Sequence, residues 1–412
     1  MISVEEALSK VLDAVSPLGL EKVSILDALG RVLGEDVFAG RAIPPNDNSA
    51  MDGYAIRTED SRGASPENPV RLDVIEEIPA GTIPVKAIGQ REAVRIMTGA
   101  PLPLGADTVV RMEDTRKDGD RVLVFAPAPK GRNIRRAGDD VRQGEKVIPR
   151  GEIIRPAEVG LLASLGRSFV LVHQRPLVAI VATGNELAEI DEVPAEGKIV
   201  NSNSYALAAL VRECGAVPLQ IGIARDSRKD LIVKFQAALR ADLIISTGGV
   251  SVGDYDLVKD IMKEAGNRMQ FWQVAMKPGR PLAFGALGAV PAVGLPGNPV
   301  SSMICFEQFI RPAILKLLGH ANLFRRTVRA RIEKGIEKQK GIRQFIRVLI
   351  RRDGDGYAVM TAGDAGSGIP ISMARANGLV ILPEAATAVG PGELVTVQLV
   401  DDSLERCPVP EF

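Results

Sequence analysis

The stretch ISTGGVSVGDYDLVKD, residues 245–260, continues an apolar run, Ala241-Asp242-Leu243-Ile244-Ile245, straight into Ser246-Thr247-Gly248-Gly249 and then into two carboxylates, Asp254 and Asp256. A short, almost wholly apolar run is what a strand buried on both faces of a parallel sheet requires. In open parallel sheets, ligands bind outside the carboxyl ends of the strands. A strand that ends in hydroxyls, glycines and acids is therefore expected to end at a site.

The surrounding sequence repeats the strand–helix alternation. RPLVAIVATG (175–184) reads as a strand. NSYALAALVRECG (203–215) reads as a helix with Asn203 or Ser204 as its N-cap and Leu207, Leu210, Val211 and Cys214 on one face. AVPLQIGIA is the next strand, 228–240 a helix and DLVKDIMKEAG a further helix. RPLAFGAL and VPAVGLPG are strands, and NPVSSMICFEQFIRPAILKLLG (298–319) closes the series as one long helix. The pattern predicts a parallel α/β sheet with helices on both faces over 173–320.

On either side the texture changes. Ser3 and Glu6 form a capping-box pair opening a helix over 3–15. VRLDVIEEI, EAVRIMTGA, ADTVVRME and RVLVFAPA alternate with Pro/Gly turns, which predicts a β-rich domain at 41–139. A Pro-started helix, PAEVGLLASLG, follows at 156–166. Beyond 320, TVRARIE, QFIRVLIRR, YAVMTAG, GLVILPE and ELVTVQLV read as short strands, with Asp353-Gly354-Asp355-Gly356 as a turn, so 321–412 is expected to be a small β barrel. The whole is an α/β multidomain chain, as 412 residues exceed one ordinary core.

Composition narrows the chemistry. A formal net charge of +0 lacks the basic excess of a nucleic-acid binder. The early acids of MISVEEALSK are unlike a signal peptide, and no apolar run reaches membrane-span length, so a cytoplasmic protein with no membrane partner is expected. Cys214, Cys305 and Cys407 are scattered and the only histidines are His173 and His320, which argues against thiol, imidazole or zinc chemistry. Carboxylates, hydroxyls, Lys/Arg and backbone N–H groups remain. Three strand ends carry them: Thr183-Gly184-Asn185-Glu186, Ser246 to Gly249, and Gly294-Leu295-Pro296-Gly297-Asn298-Pro299. Gly248 and Gly249 admit close backbone approach to an oxyanion, and Pro299 suits the first position of a helix whose free N–H groups attract phosphate. Glu186, Asp226, Asp254 and Asp256 all follow strands and would hold Mg²⁺ beside such a phosphate, with Lys277 and Arg280 balancing ligand charge. Asp254 or Asp256 equally suits the cap of the helix beginning near Leu257.

NSAMDGYAIR, RIMTGAPLPLGADTVV, RRAGDDV, STGGVSVGDYD, FWQVAMKPGRP and GLPGNPVSS, in that order, resemble the molybdopterin molybdenumtransferase (MoeA) family, related to the gephyrin E-domain, over essentially the full chain. The resemblance implies a four-part subunit: a split helical lobe at 1–40 and 140–172, the β-rich domain, a molybdopterin-binding α/β domain and the C-terminal barrel. It implies a homodimer that takes adenylylated molybdopterin and molybdate, requires Mg²⁺, and releases AMP to give molybdenum cofactor. An upstream adenylyltransferase supplying the substrate is a further partner. By motif it implies Asp52, Glu186, Asp226 and Asp256 as catalytic, the last three as metal ligands. Thr98, Asp140, Thr183, Thr247, Gly248, Gly249, Ser251, Lys277, Arg280, Pro296, Asn298, Pro299, Arg347 and Ser372 are implied to bind substrate. Gln273 stands where some members carry Lys, so anion binding is expected to lean on Lys277, Arg280 or Arg343. Asp52 and Thr98 are expected to face the α/β domain of the second subunit. Two other readings are a dimeric scaffold binding partner peptides and the adenylyltransferase itself. Molybdate and tungstate, both tetrahedral dianions, are not distinguished.

Overall fold

The strand Leu243–Thr247 is buried along its whole length at the middle of a five-stranded sheet. The structure is a computed structural model that describes residues 1–248, 270, 273–363, 366 and 368–405. The chain divides into two compact units, one of Met1–Lys22, Gly30–Val32 and Leu171–Phe412, the other of Val23–Leu29 and Leu33–Val170.

In the first unit the sheet order is Val217–Ala224, Leu177–Thr183, Leu243–Thr247, Val290–Leu295, Ala283–Leu287. The first four strands are parallel. Period-two alternation sends Val178, Ile180, Leu243 and Ile245 to one face, where they pack with Leu207 and Val211 of helix Ser202–Glu213. Ala179, Val181 and Ile244 go to the other face, against Leu231 and Phe235 of helix Arg228–Ala238. Both faces being covered explains why these strands read as continuous apolar runs.

Three local departures from expectation have physical causes. Ala283–Leu287 runs antiparallel to Val290–Leu295, because only Gly288 and Ala289 separate them and a parallel crossover needs a dozen residues or more. The closing helix is interrupted: Pro299–Cys305 passes through a π-helical turn, Phe306–Ile310, into Arg311–Leu317. Pro312 has no N–H to return to the preceding turn and its ring crowds the carbonyl four residues back, which the wider turn relieves. The Ser202–Glu213 helix is capped by Asn201, whose side chain accepts from the Ser204 N–H, and neither Asn203 nor Ser204 is the cap.

At the other end of the chain, the Ser3 Oγ accepts the Glu6 N–H at 3.0 Å and starts helix Val4–Asp13. The Glu6 carboxylate sits 3.8 Å from the Lys10 Nζ, so only the Ser3 half of the expected box is made. Val4, Ala7 and Val11 join the same core as Phe306 and Ile310. Ile2 pairs in parallel with Val274, the Ile2 N–H donating to the Gln273 carbonyl at 3.1 Å and the Ala275 N–H to the Ile2 carbonyl at 2.9 Å. Two residues further on, Met276–Lys277 pairs with Arg343–Gln344.

Arg343 opens a closed five-stranded barrel. Going round it, the strands are Arg343–Asp353, Gly356–Thr361, Thr327–Ile332, Leu394–Leu399 and Gly378–Leu382, the last pairing back to the first. Ala330, Val348, Ile350, Val380 and Val397 fill the interior. The expected turn forms with Asp353 opposite Gly356.

The second unit holds a six-stranded sheet ordered Thr108–Arg111, Gly53–Ile56, Glu92–Ile96, Val70–Ile78, Arg121–Val124, Thr115–Asp118. Tyr54, Leu72 and Val122 pack on one face and Ala55, Val94 and Val109 on the other. Helix Pro156–Ser164 follows, with Pro156 in its first turn and Gly166 at a φ of +76° beyond its end. Among the described residues no helix is long and apolar enough to cross a membrane.

Candidate functional site

The chain enters the sheet at Leu177–Thr183, adds the next strand on one side and then Leu243–Thr247 on the other. This reversal opens a crevice at the carboxyl ends of those two strands. A cavity of about 330 Å³ lies there, lined by Thr183, Glu186, Asn203, Thr247, Gly248 and Asn298 among others. The three predicted strand ends therefore meet. Thr183 Oγ1 donates to the Thr247 carbonyl at 3.3 Å, and the Gly248 N–H to the Leu295 carbonyl at 3.2 Å. Gly248 has a φ of +85°, and a Cβ there would lie 2.5 Å from the Thr183 carbonyl oxygen, so only glycine fits. The Pro296–Pro299 turn is closed by the Ser302 hydroxyl, which donates to the Pro296 carbonyl, and by the Ser302 N–H, which donates to the Asn298 carbonyl at 3.0 Å.

The carboxylates of this region occupy paired loops. The Asn185 N–H donates to Asp226 Oδ2 and the Asp226 N–H to Asn185 Oδ1, both at 3.1 Å, so Asp226 secures the loop carrying Glu186. The Glu186 carboxylate lies over Gly184, where any Cβ would come within 2.3 Å of it. Glu186 lines the cavity and Asp226 does not; the hard carboxylate oxygens of Glu186 at the wall suit Mg²⁺. Among the described residues no group of three or more His, Cys, Asp or Glu side chains comes together to hold a metal. Gly249, Ser251, Asp254 and Asp256 lie outside the described residues, as does the predicted helix that follows them.

A larger cavity, about 680 Å³, lies between the sheet and the barrel of the same unit. Lys277, Arg280, Pro296, Asn298, Gln344 and Arg347 line it, and Asn298 lines both cavities. Its floor is tight: Gly279 has a φ of +102°, and a Cβ there would sit 2.4 Å from the Cys305 Sγ. Burial pushes the Cys305 thiol well up, so it is a packing group and no nucleophile. Arg347 is only 6% exposed and donates to the Gly366 carbonyl at 3.3 Å.

Several expected site residues lie elsewhere. Arg343 does not line the cavity. It is paired with Glu5 and, at 3.0 Å, with Glu384, so the charge absent at Gln273 is not supplied from there. Ser372 is 1% exposed, lines neither cavity, and donates to the Ile369 carbonyl at 2.6 Å. Asp52, Thr98 and Asp140 belong to the second unit. Asp52 Oδ1 accepts both the Thr98 N–H at 2.7 Å and the Thr98 Oγ1 at 2.8 Å. The donation from the Thr98 backbone, then that from its hydroxyl, holds the Asp52 carboxyl below its usual range. Asp140 is exposed, on a segment whose backbone bonds to Ile43. Asn203 and Gln344 were not anticipated. Asn203 carried a signal, being an amide redundant for capping once Asn201 caps; Gln344 carried none.

The doubly wound sheet with glycine-tight strand ends over a polar crevice is that of a ligand-binding α/β domain, and residues 179–316 match the family described as "Probable molybdopterin binding domain". Residues 2–166 match "MoeA N-terminal region (domain I and II)" and 329–400 match "MoeA C-terminal region (domain IV)". The chain belongs to the molybdopterin molybdenumtransferase (MoeA) family. Molybdopterin molybdenumtransferase 2 of Mycobacterium tuberculosis is 40% identical over 410 residues, covering 96% of this chain and 99% of that one. Molybdopterin molybdenumtransferase of Staphylococcus aureus is 35% identical over 405 residues, covering 97% and 96%. The crystal structure of a molybdopterin biosynthesis MoeA protein from Pyrococcus horikoshii superposes with a TM-score of 0.84 at 31% identity, covering 97% of this chain and 99% of that one.

Proposed function

We propose that this chain is the metal-inserting enzyme of molybdenum cofactor biosynthesis: it binds adenylylated molybdopterin and molybdate, releases AMP and yields molybdenum cofactor. Full-length relatives named for that transfer support the enzyme reading over a scaffold or an adenylyltransferase. The observation that carries it is Asn298, common to the glycine-walled cavity and the cationic one. A phosphate-bearing pterin in the first would extend toward an oxyanion held in the second. Gly248 permits backbone contact with the ligand, and Thr183 and Thr247 hold the loops in register. Lys277 and Arg280 attract the anion. Glu186 and Asp226, with Asp256, would hold Mg²⁺, which supplies neutralisation of phosphate charge. The dithiolene of the substrate supplies the sulfur ligands of the metal, so the chain needs no cysteine cluster.

The protein is further proposed to be a cytoplasmic homodimer, fed by an upstream adenylyltransferase, with Asp52 and Thr98 completing the site of the other subunit. Polar, small-residue motifs carrying an acid and a hydroxyl support this reading of NSAMDGYAIR and MTGAP.

The assay is incubation with adenylylated molybdopterin, Mg²⁺ and molybdate, reading AMP. AMP release is expected, and Glu186→Gln should raise the Mg²⁺ concentration required. No AMP, or ATP-dependent adenylylation of free molybdopterin instead, would reject the reading. For the composite site, Asp52→Ala and Glu186→Ala subunits, each inactive alone, are mixed. Each mixed dimer would carry one site with both lesions and one with neither, so up to about half of all dimers formed should regain one working site. No recovery in verified heterodimers would assign both residues to one subunit or make Asp52 structural.

A further inference from the structure

Asn203 sits in the first turn of helix Ser202–Glu213, where Asn201 already serves as the cap. Its Nδ2 donates to Thr247 Oγ1 at 2.9 Å and to the Gly297 carbonyl at 2.8 Å. A carbonyl can only accept, so the amide is oriented with nitrogen toward Gly297. Both N–H groups are then committed, one to the strand end before Gly248 and one to the turn before Asn298. Thr247 Oγ1 in turn points to the Pro296 carbonyl at 3.4 Å. One side chain thus ties two loops, from separate elements, to the start of its own helix. Its Oδ1 is left as an acceptor, and among the described residues no donor reaches it.

We propose that Asn203 is the positioning residue of the substrate cavity: its two N–H groups set the spacing of the Gly248 loop and the Gly297 turn, and its Oδ1 accepts from an N–H of the bound pterin. The inference rests on the reading that this cavity takes the adenylylated pterin. Pterins carry N–H donors along one edge, and an amide acceptor is their uncharged complement. Glu186 is the only ionisable side chain among the described residues lining this cavity. Asn203 therefore provides recognition without adding charge beside a phosphate.

The test is Asn203→Asp, nearly isosteric but without donors and with a carboxylate facing the Gly297 carbonyl. Near pH 8 the variant should show KM for adenylylated molybdopterin raised about ten-fold, with kcat changed less. On acidification the carboxyl takes up a proton and regains one O–H donor. The ratio of variant to wild-type kcat/KM should climb toward one as pH falls. Groups common to both proteins cancel in this ratio, which therefore isolates residue 203. A merely structural role would lower the melting temperature without this pH-dependent recovery. Should Asn203→Asp not fold, Thr247→Val removes the partner hydroxyl and should raise KM in the same direction. Wild-type KM in Thr247→Val, or in a folded Asn203→Asp at every pH, overturns the inference. Absence of AMP release by the wild type would instead refute the assigned reaction.

Discussion

One oxygen of Asp52 accepts two hydrogen bonds from one residue, the Thr98 N–H at 2.7 Å and the Thr98 hydroxyl at 2.8 Å. Both favour the ionised carboxylate, and its folded pKa is lowered. A carboxylate with a lowered folded pKa adds stability at pH above its unfolded value, about 3.9. That contribution is lost as pH falls through the folded value. Thr98→Val removes the hydroxyl donor and leaves the N–H. Carboxyl NMR titration should then show Asp52 titrating at higher pH, and acid unfolding should begin at higher pH as well. An unmoved Asp52 titration would show that the hydroxyl contributes nothing to the charge.

Gly248 and Gly288 both have positive φ, +85° and +62°, but only Gly248 has a backbone oxygen where a Cβ would go. Alanine at either should cost roughly 1–2 kcal/mol of left-handed strain. Gly248→Ala should cost more, since the Thr183 carbonyl must move, and should weaken substrate binding. Gly288→Ala should leave binding as it was. Chemical denaturation and ligand titration of both variants decide this, and equal effects would remove the steric argument.

Lys277 lines the cationic cavity, whereas Arg343, on the adjoining strand, is spent on Glu5 and Glu384. Lys277→Met should raise KM for the anionic substrates about ten-fold or more, as expected for a hydrogen bond to a charged group. Arg343→Met should keep KM within about two-fold and lower stability by about 1 kcal/mol. A KM rise in Arg343→Met matching that in Lys277→Met would place Arg343 in the binding wall after all.

The buried pair Glu307–Arg325 offers a stability test remote from the site. Arg325 Nε and Nη2 each donate to the carboxylate at 3.0 Å, and the Glu307 side chain is nearly buried. Arg325→Met strands that carboxylate and should cost about 3–5 kcal/mol in denaturant unfolding. A loss under about 1 kcal/mol would mean that Arg311, 4.0 Å away, suffices as partner.

The α/β alternation was legible because both faces of the sheet are covered, which writes each strand as an apolar run. The meeting of Thr183, Thr247 and Asn298 was legible too, because strand ends of one parallel sheet share an edge. The antiparallel strand Ala283–Leu287 was masked by that alternation, although the two-residue link Gly288-Ala289 marks a hairpin. Asn203 was legible only as a cap, since four cap-type residues run from 201 to 204 and its partners sit at 247 and 297. Arg343 and Lys277 look alike as cations. Their difference comes from Glu5, whose contact with Arg343 spans most of the chain. Closure of the barrel likewise depends on the pairing of Arg343–Asp353 with Gly378–Leu382, which no local pattern encodes.

The ladder contact between Ile2 and Val274 sets an order of events during synthesis on the ribosome. Residue 2 emerges first, yet its partner is translated about 270 residues later, on the order of 15–60 s at ordinary elongation rates. Until then the apolar stripe of Val4, Ala7 and Val11 has neither the 299–317 helices nor the Lys277 segment to cover it. The nascent chain must therefore carry this uncovered apolar stripe through translation of the entire second unit.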